Sequence, residues 1–161
     1  MANVFVLHPS VPAKSVKELV AWLKVQKDPV NYGSGGNGSA GHLAFEYLKM
    51  ASETFVLHVP YRGTPPSITD VISGQVQATF TSGVSLLPHV RSGAVKAFAV
   101  TSDKRLDAAP EIPTVDEAGA PGTYILTWYG IWLPKVSPKE AIEKIGDAAR
   151  AALNPEKPHV G

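Results

Sequence analysis

Short apolar runs alternate with longer amphipathic segments through the first hundred residues, and Gly or Pro residues separate them. Each run has the length and the β-branched or aromatic content of a strand, and each amphipathic segment repeats apolar residues at helical spacing. We predict strands at residues 4–7, 30–32, 55–59, 78–80 and 95–100. We predict helices at residues 15–26, around 43–51, around 64–72 and at 86–90. The alternation predicts an α/β fold with a mostly parallel sheet flanked by helices.

Two of these helices carry clear start signals. Ser15 followed by Glu18 is a capping box, in which each residue bonds a free N–H group of the first turn. Thr64 is predicted to cap a later helix, with Pro65 as its first residue. Both signals place a helix start shortly after a predicted strand.

The last third of the chain begins with a long aperiodic connection. Residues 103–122 are rich in Pro, Asp, Glu, Ala and Gly and show no repeat of apolar positions. Residues 124–133 are apolar and rich in strand-forming residues, so they predict a strand. Ser137 and Glu140 form a second capping box with Pro138 at the first helical position, which predicts a last helix ending near residue 153.

Charge and composition exclude several classes of function. The 15 Lys and Arg residues are balanced by 14 Asp and Glu residues, so the chain lacks the basic surface that nucleic-acid binding requires. It contains no Cys and therefore forms no disulfide. No apolar run approaches the roughly 18 residues that a membrane span needs. The first residues lack a basic and an apolar segment, so we expect no signal peptide in this chain.

A glycine-rich turn joins the second strand to the second helix. The pattern Gly33-x-Gly35-x-x-Gly38 matches the dinucleotide-binding fingerprint, after a strand and before a helix. That fingerprint requires an acidic residue near the end of the next strand, where this chain has Tyr61 and Arg62. Because an Arg can accommodate a 2′-phosphate, one alternative is an NADP-dependent enzyme or nucleotide-binding domain that uses residues 33–38.

The same turn also suits a simpler anion site. Glycine lets successive N–H groups turn toward one ligand, at a helix start where such groups have no partner within the helix. The hydroxyl groups of Ser34 and Ser39 and the amide of Asn37 add polar groups. A carboxylate or a phosphate is the ligand that this arrangement favours. The competing interpretation is that the glycines only form a tight turn.

No catalytic or metal-ligating pattern accompanies the turn. The five His residues lack the spacing of a zinc site, and no nucleophile elbow is present. We therefore predict no catalytic residue, no metal and no cofactor. His42 is interpreted as a support behind the turn, and His58 as structural. Arg62 is the single cation near a strand end, and it either pairs with an anion or lies in solvent.

Five motifs in register give the chain a resemblance to a known family. They are NYGSGGNGS at residues 31–39 with HLA at 42–44, VPYRG at 59–63, GQV at 74–76, LPHVRSG at 87–93, and AVTS at 99–102 with Arg105 and IPTV at 112–115. A sixth motif is Trp128-Tyr129-Gly130. Over residues 4–153 the chain resembles the Bug family, the tripartite tricarboxylate transporter receptors, which are periplasmic solute-binding proteins of bacteria.

The resemblance implies half of a two-lobed receptor. Members of the family are clamshells about twice as long. The resemblance assigns residues 1–102 to the second ligand-binding lobe with its hinge strands, 103–122 to a connection and 123–161 to a partial first-lobe segment. The apolar residues of that segment are expected to fold back on the lobe or to exchange with another copy, giving a homodimer. Three tryptophans are expected to pack in the core or between lobes: Trp22, Trp128 and Trp132.

Small organic carboxylates are the ligands that the resemblance implies. The implied partners are the membrane permease subunits of a tripartite tricarboxylate-type transporter, and the implied location is the periplasm. Carried over from the family, the ligand-binding residues are Ser34, Gly35, Gly36, Asn37, Gly38, Ser39, Gly63, Thr64, Thr81 and Ser82. Many members have an Asp at the position of Thr81, so this chain favours plain carboxylates over ligands that carry an amine. One lobe alone is expected to bind no tighter than high micromolar.

Overall fold

Helices and strands alternate in the computed structural model, which describes residues 2–120, 124–128 and 130–153. The first six elements are β1 (Asn3–Leu7), α1 (Val16–Val25), β2 (Asn31–Ser34), α2 (Ala40–Ser52), β3 (Leu57–Pro60) and α3 (Thr64–Ile72). The remaining elements are β4 (Ala78–Ser82), α4 (Gly83–Arg91), β5 (Lys96–Val100) and α5 (Lys139–Ala152). Every strand and helix predicted before residue 102 is present, and the α/β fold is confirmed.

The five strands form one mixed sheet in the order β3-β2-β4-β1-β5. β2 is parallel to β3 and to β4, whereas β1 is antiparallel to both of its neighbours, β4 and β5. All strands except β1 therefore run in the same direction, in agreement with the predicted mostly parallel sheet. The carboxyl ends of β2, β3 and β4 meet at one end of the sheet, together with the amino end of β1. We call this end the carboxyl edge.

Helices cover both faces of the sheet, and β1 is buried between them. Successive side chains of a strand point to opposite faces. Phe5 and Leu7 thus lie in a cluster with apolar residues of α1 and α2, and Val4 and Val6 lie in a second cluster with those of α3 and α4. The ring of Phe5 is 4.5 Å from that of Phe80, measured between centroids. Burial on both faces explains why β1 is a continuous apolar run without alternation.

The connection after β5 packs on the sheet without a helix or a named strand, as predicted. In its described part, 103–120, Thr114 forms an isolated parallel bridge with Val100. Apolar side chains of the same stretch are buried: Ala109, Ile112, Val115 and Ala118. Arg105 donates two hydrogen bonds to the carboxylate of Glu117, at 2.8 and 3.1 Å. Residues 121 and 122 lie outside the described residues.

The prediction of a strand at 124–133 is wrong for the described part of that segment. Leu126 forms an isolated bridge with Ala2, and residues 124–128 and 130–133 contain no strand. Tyr129 lies outside the described residues. Trp22 packs against the core as expected. Trp128 and Trp132 are 75% and 73% exposed, so neither lies in a core, and their packing between lobes remains a prediction. The prediction considered only the apolar composition of the segment. A strand also needs a neighbouring strand whose backbone N–H and C=O groups are free to pair with it.

Side chains hold residues 124–128 in place where a strand ladder was expected. The amide of the buried Asn3 donates to the carbonyl of Ile125 at 3.0 Å and to the hydroxyl of Thr127 at 2.8 Å. The hydroxyl of Thr101 donates to the same carbonyl at 2.6 Å. Both donors belong to the carboxyl edge, so the segment crosses this edge beside the amino end of β1.

Two of the predicted helix starts are displaced by one residue. Ser15 caps α1 as predicted and accepts a backbone hydrogen bond of 3.2 Å. At α3, however, Gly63 occupies the cap position with a φ of 100°, and Thr64 is the first helical residue. At α5, Pro138 occupies the cap position in an extended conformation, and no side chain caps the helix. Ser137 therefore precedes the cap position and does not cap α5.

The chain divides into two compact units, Met1–Trp128 and Tyr129–Gly161. The described part of the second unit consists of residues 130–138, which contain one turn at residues 135–136, and of α5, which buries none of its residues. Residues 124–128 belong to the first unit. The assignment of 1–102, 103–122 and 123–161 to two lobes remains a prediction. None of the described helices is long and apolar enough to cross a membrane.

Candidate functional site

Three loops follow parallel strands at the carboxyl edge, where ligands bind in open α/β sheets. The first, residues 35–39 between β2 and α2, is called the glycine loop below. The second, residues 61–63, joins β3 to α3, and the third is the direct passage from β4 into α4. Each loop delivers the amino end of a helix to the same edge, and with it N–H groups that lack partners within the helix.

The glycine loop uses three of its five N–H groups inside the protein. Gly36 donates to the hydroxyl of Ser34 at 3.1 Å, Gly38 to Nδ1 of His42 at 3.0 Å, and Ser39 to the carbonyl of Gly36 at 3.1 Å. Among the described residues, the N–H groups of Gly35 and Asn37 have no protein acceptor. The loop is therefore a stabilised turn and still offers two backbone donors.

Gly36 shows why a glycine is needed in this turn. Its φ is 122°, a value that side-chain-bearing residues rarely adopt. A Cβ atom at this position would lie 3.2 Å from the carbonyl oxygen of Tyr61 on the neighbouring loop. Both the backbone conformation and the space thus select glycine here.

The start of α3 lies directly against the glycine loop. The N–H group of Gly63 donates to the carbonyl of Gly35 at 3.3 Å, and that of Tyr61 donates to the carbonyl of Ser34 at 3.1 Å. A Cβ atom on Gly35 would lie 3.3 Å from the hydroxyl of Thr64. The structure therefore brings together the carried-over residues of the first two loops, as parallel pairing of β2 and β3 requires.

Thr81 and Ser82 lie at the same edge but one strand away. They end β4, which neighbours β2 in the sheet. The link to the glycine loop runs through the start of α2, where the α-carbon of Gly41 packs on the carbonyl of Phe80. Thr81 is partly exposed, whereas Ser82 is buried. Whether these residues and those of the first two loops bind a ligand remains a prediction.

A stack of four rings supports the glycine loop. Phe45, Tyr32, His58 and His42 follow one another at centroid distances of 4.3, 4.8 and 4.2 Å, with interplanar angles of 19° to 21°. His58 Nε2 lies 2.6 Å from the hydroxyl of Ser34, which in turn bonds Gly36. His42 accepts a hydrogen bond from Gly38 in the loop, and His58 contacts the loop through Ser34, the last residue of β2.

Burial and charge shift the pKa values of the groups around the stack. Burial, followed by the charge of His42 nearby, lowers the pKa of His58 below its usual value. The ammonium group of Lys49, 2.8 Å away, lowers the pKa of the Glu46 carboxyl group. That carboxylate accepts a hydrogen bond from the hydroxyl of Tyr32, whose pKa burial raises strongly. His58 is therefore favoured in its neutral form near pH 7.

The electrostatics of the carboxyl edge favour an anion. The sequence stretches 33–43, 58–66 and 80–86 contain no Asp or Glu. Arg62 is exposed between the glycine loop and α3, and in the described part of the chain it forms no ion pair. A helix start with free N–H groups and an Arg nearby attracts negative charge.

Sequence reasoning identified the support role of His42 but missed its partnership with His58. His42 is the third residue after the cap residue Ser39, and it takes the place of the Glu or Gln of a capping box. The third position after a cap residue could therefore have indicated that His42 bonds the backbone at the start of α2. The stacking on His58 depends on the parallel register that sets His58 opposite Tyr32, which local patterns do not reveal.

With this geometry in place, comparison with known proteins identifies the class. Residues 1–159 match the family described as "Tripartite tricarboxylate transporter family receptor". The chain belongs to this family, which confirms the resemblance drawn from its motifs.

Individual relatives agree with this assignment. The "UPF0065 protein in tcbD-tcbE intergenic region" of a Pseudomonas species (strain P51) is 34% identical over 154 residues, which cover 95% of this chain and 46% of the relative. The periplasmic binding protein BugD superposes with a TM-score of 0.89 at 32% identity, over 96% of this chain and 52% of that structure. MatC from Rhodopseudomonas palustris with bound malate gives 0.88 at 26% identity, over 97% and 53%.

These relatives are longer proteins. The chain spans about half the length of the relatives and structures that it matches. The family match gives no support to the alternative of an NADP-dependent enzyme or nucleotide-binding domain.

Proposed function

We propose that the carboxyl edge of this chain forms one side of a binding site for a small organic carboxylate. The observation that carries the proposal is the pair of free N–H groups at Gly35 and Asn37, beside the start of α2, in a loop that itself contains no Asp or Glu. Two such donors match the two oxygens of a carboxylate. Malate bound to MatC, a member of the same structural class, supports this chemistry.

The proposed contacts are those carried over from the family. The glycine loop supplies the backbone donors, Gly63 and Thr64 supply the adjacent wall, and Thr81 and Ser82 supply the floor near β4. Thr81 leaves this floor without the negative charge that an amine would need. Plain dicarboxylates are therefore preferred to amino acids.

The test is a titration of the isotope-labelled chain with malate, read from the amide signals in NMR spectra at neutral pH. We expect shifts at the amides of Gly35 and Asn37, with a dissociation constant near millimolar, because one side of a site retains only part of the binding free energy. Ser39→Asp keeps a residue that caps helices well but places a negative charge at the start of α2. It should weaken malate binding about tenfold.

Ser15→Asp is the matched control. It exchanges the cap residue of α1 in the same way and adds the same charge, but α1 follows β1, whose carboxyl end points away from the carboxyl edge. Malate binding should stay as in the parent chain. Equal effects of the two substitutions would contradict the proposed location. A binding isotherm with NADPH at micromolar concentration, with no response to malate, would overturn the proposed function.

The wider role follows from the family. We infer that the full-length protein is a periplasmic receptor without enzymatic activity, and that it delivers its ligand to the permease subunits of a tripartite tricarboxylate-type transporter. The exposed Trp128 and Trp132 also support an interaction of residues 123–161, either with another part of the receptor or with a second copy as a homodimer. Light scattering that shows only monomer would exclude the homodimer.

A further inference from the structure

Two histidines at the end of the ring stack hold the glycine loop through different atoms. The N–H group of Gly38 donates to Nδ1 of His42, so this nitrogen carries a lone pair and the proton of the neutral ring lies on Nε2. His58 Nε2 lies 2.6 Å from the hydroxyl of Ser34, which accepts from the N–H group of Gly36. The two rings are parallel within 19°, at a centroid distance of 4.2 Å.

Protonation affects the two contacts differently. A proton on Nδ1 of His42 would face the N–H group of Gly38, and two donors cannot bond each other. A proton on His58 leaves its contact intact, because Nε2–H can donate to the hydroxyl of Ser34 while that hydroxyl donates to the carbonyl of Gly36. The stacked rings are too close to carry two positive charges. Only His42 therefore needs to be neutral for the loop to keep its form.

We propose that His42 and His58 are positioning residues for the glycine loop, and that protonation of His42 releases Gly38 and with it the arrangement of the free donors at Gly35 and Asn37. What the loop binds rests on the proposed function; how the loop is held does not. The site of a carboxylate receptor would thereby lose its ligand when His42 is protonated.

The groups that face the pair determine where the first proton goes. In the part of the chain that the structure describes, these groups are Glu46 and Lys49 on α2 and Tyr32 on β2. The negative charge of Glu46 favours a proton on His58, whereas Lys49 opposes it. Burial and the charge of His42 disfavour the charged form of His58, and Glu46 interacts with His42 as well as with His58.

The test follows the amide of Gly38 and the ring nitrogens of His42 by NMR from about pH 8 to about pH 5, first without ligand. We expect both signals to change with the same midpoint. His42→Asn keeps an acceptor oxygen near the place of Nδ1 but does not titrate, so the Gly38 signal should become independent of pH. His42→Ala removes the acceptor, and amide exchange at Gly38 near neutral pH should be about fivefold faster, which corresponds to a hydrogen bond of about 1 kcal/mol.

His89→Asn is the matched control, because His89 lies in the last turn of α4 and is not part of the ring stack. In His89→Asn the amide signal of Gly38 should show the same pH dependence as in the parent chain. A constant Gly38 signal while the His42 ring titrates, or an unchanged titration in His42→Asn, would overturn the positioning role.

Malate then separates the two proposals. At the alkaline end of the titration malate should shift the amides of Gly35 and Asn37, and at a pH at which the His42 ring is seen to be protonated this response should vanish in the parent chain but persist in His42→Asn. A response lost equally in both chains would overturn the regulation. If malate shifts no amide in any chain while Gly38 still follows His42, the carboxylate proposal fails and the positioning role is supported.

Discussion

The close packing of α2 on the sheet predicts that Gly41→Ala destabilises the protein, although alanine is the better helix former. Gly41 is the second residue of α2, and a Cβ atom there would lie 2.7 Å from the carbonyl oxygen of Phe80 in β4. Real Cβ atoms do not approach closer than 3.0 Å. The obstacle is backbone, so the start of α2 has to move away from the sheet.

The magnitude follows from two opposing contributions. Overpacking against a rigid neighbour costs about 3 kcal/mol, and replacing Gly by Ala in a helix returns up to about 1 kcal/mol. The net loss in the free energy of unfolding is about 2 kcal/mol, which lowers the Tm of a domain of this size by roughly 4–8 °C. Thermal unfolding followed by circular dichroism measures this shift.

Ala51→Gly in the same helix is the control. Ala51 is exposed, so this substitution reports the helix preference alone and should cost about 1 kcal/mol. If the contact at Gly41 were not limiting, Gly41→Ala would raise the Tm by the amount that Ala51→Gly lowers it. A Tm of Gly41→Ala equal to or above that of the parent chain would refute the packing argument. Because α2 carries His42, the variant should also displace the amide signal of Gly38.

Three further predictions concern single residues. Glu53 directly follows α2 and has a φ of 54°, a left-handed conformation that glycine adopts without strain. Glu53→Gly should therefore stabilise the protein by about 1 kcal/mol, whereas Glu53→Ala should not. Equal Tm values for the two variants would contradict this reasoning. The pKa of His58 is lowered in the folded state, so its contribution to stability is present above pH 6.5 and is lost as the pH falls through the folded value. In His58→Gln the free energy of unfolding, measured with urea at several pH values, should therefore fall less steeply toward acid pH than in the parent chain. An identical pH dependence in the two chains would contradict the lowered pKa. Burial and the hydrogen bond to Asp70 raise the pKa of Tyr61 to about 12, so its contribution to stability is present below pH 10 and is lost as the pH rises through 12. Tyr61→Phe should remove this alkaline loss of stability, and the tyrosinate absorbance should lose a step with a midpoint near pH 12; an unchanged absorbance titration would contradict this assignment.

The sequence predicted those parts of the fold that local signals specify. Ser15 and Glu18 define the start of α1, and the turn after β2 follows from glycines at positions such as Gly36, whose φ only glycine tolerates well. The regular alternation of strands and helices then restricts the sheet to a few arrangements. The family resemblance assigned the first two site loops to one ligand site, and Gly63 does bond Gly35.

The features that escaped prediction depend on long-range partners. Residues 124–133 have the composition of a strand, but Asn3 binds the backbone of Ile125 with its side chain, and no strand forms there in the described residues. The antiparallel direction of β1 is likewise invisible in a buried apolar run. The pairing of His42 with His58 requires the exact register of β2 and β3, in which a shift of one residue would turn His58 to the other face.

The bridge between Ala2 and Leu126 brings the two ends of the first unit close together. Its first and last segments are neighbours, joined further by the bonds of Asn3 to Ile125 and Thr127. A short peptide linking these two segments would therefore cost little loop-closure entropy. The unit is thus suited to circular permutation, with new ends placed at an exposed turn such as the one at Gly93, where a linked and reopened chain should keep the same sheet and the same glycine loop.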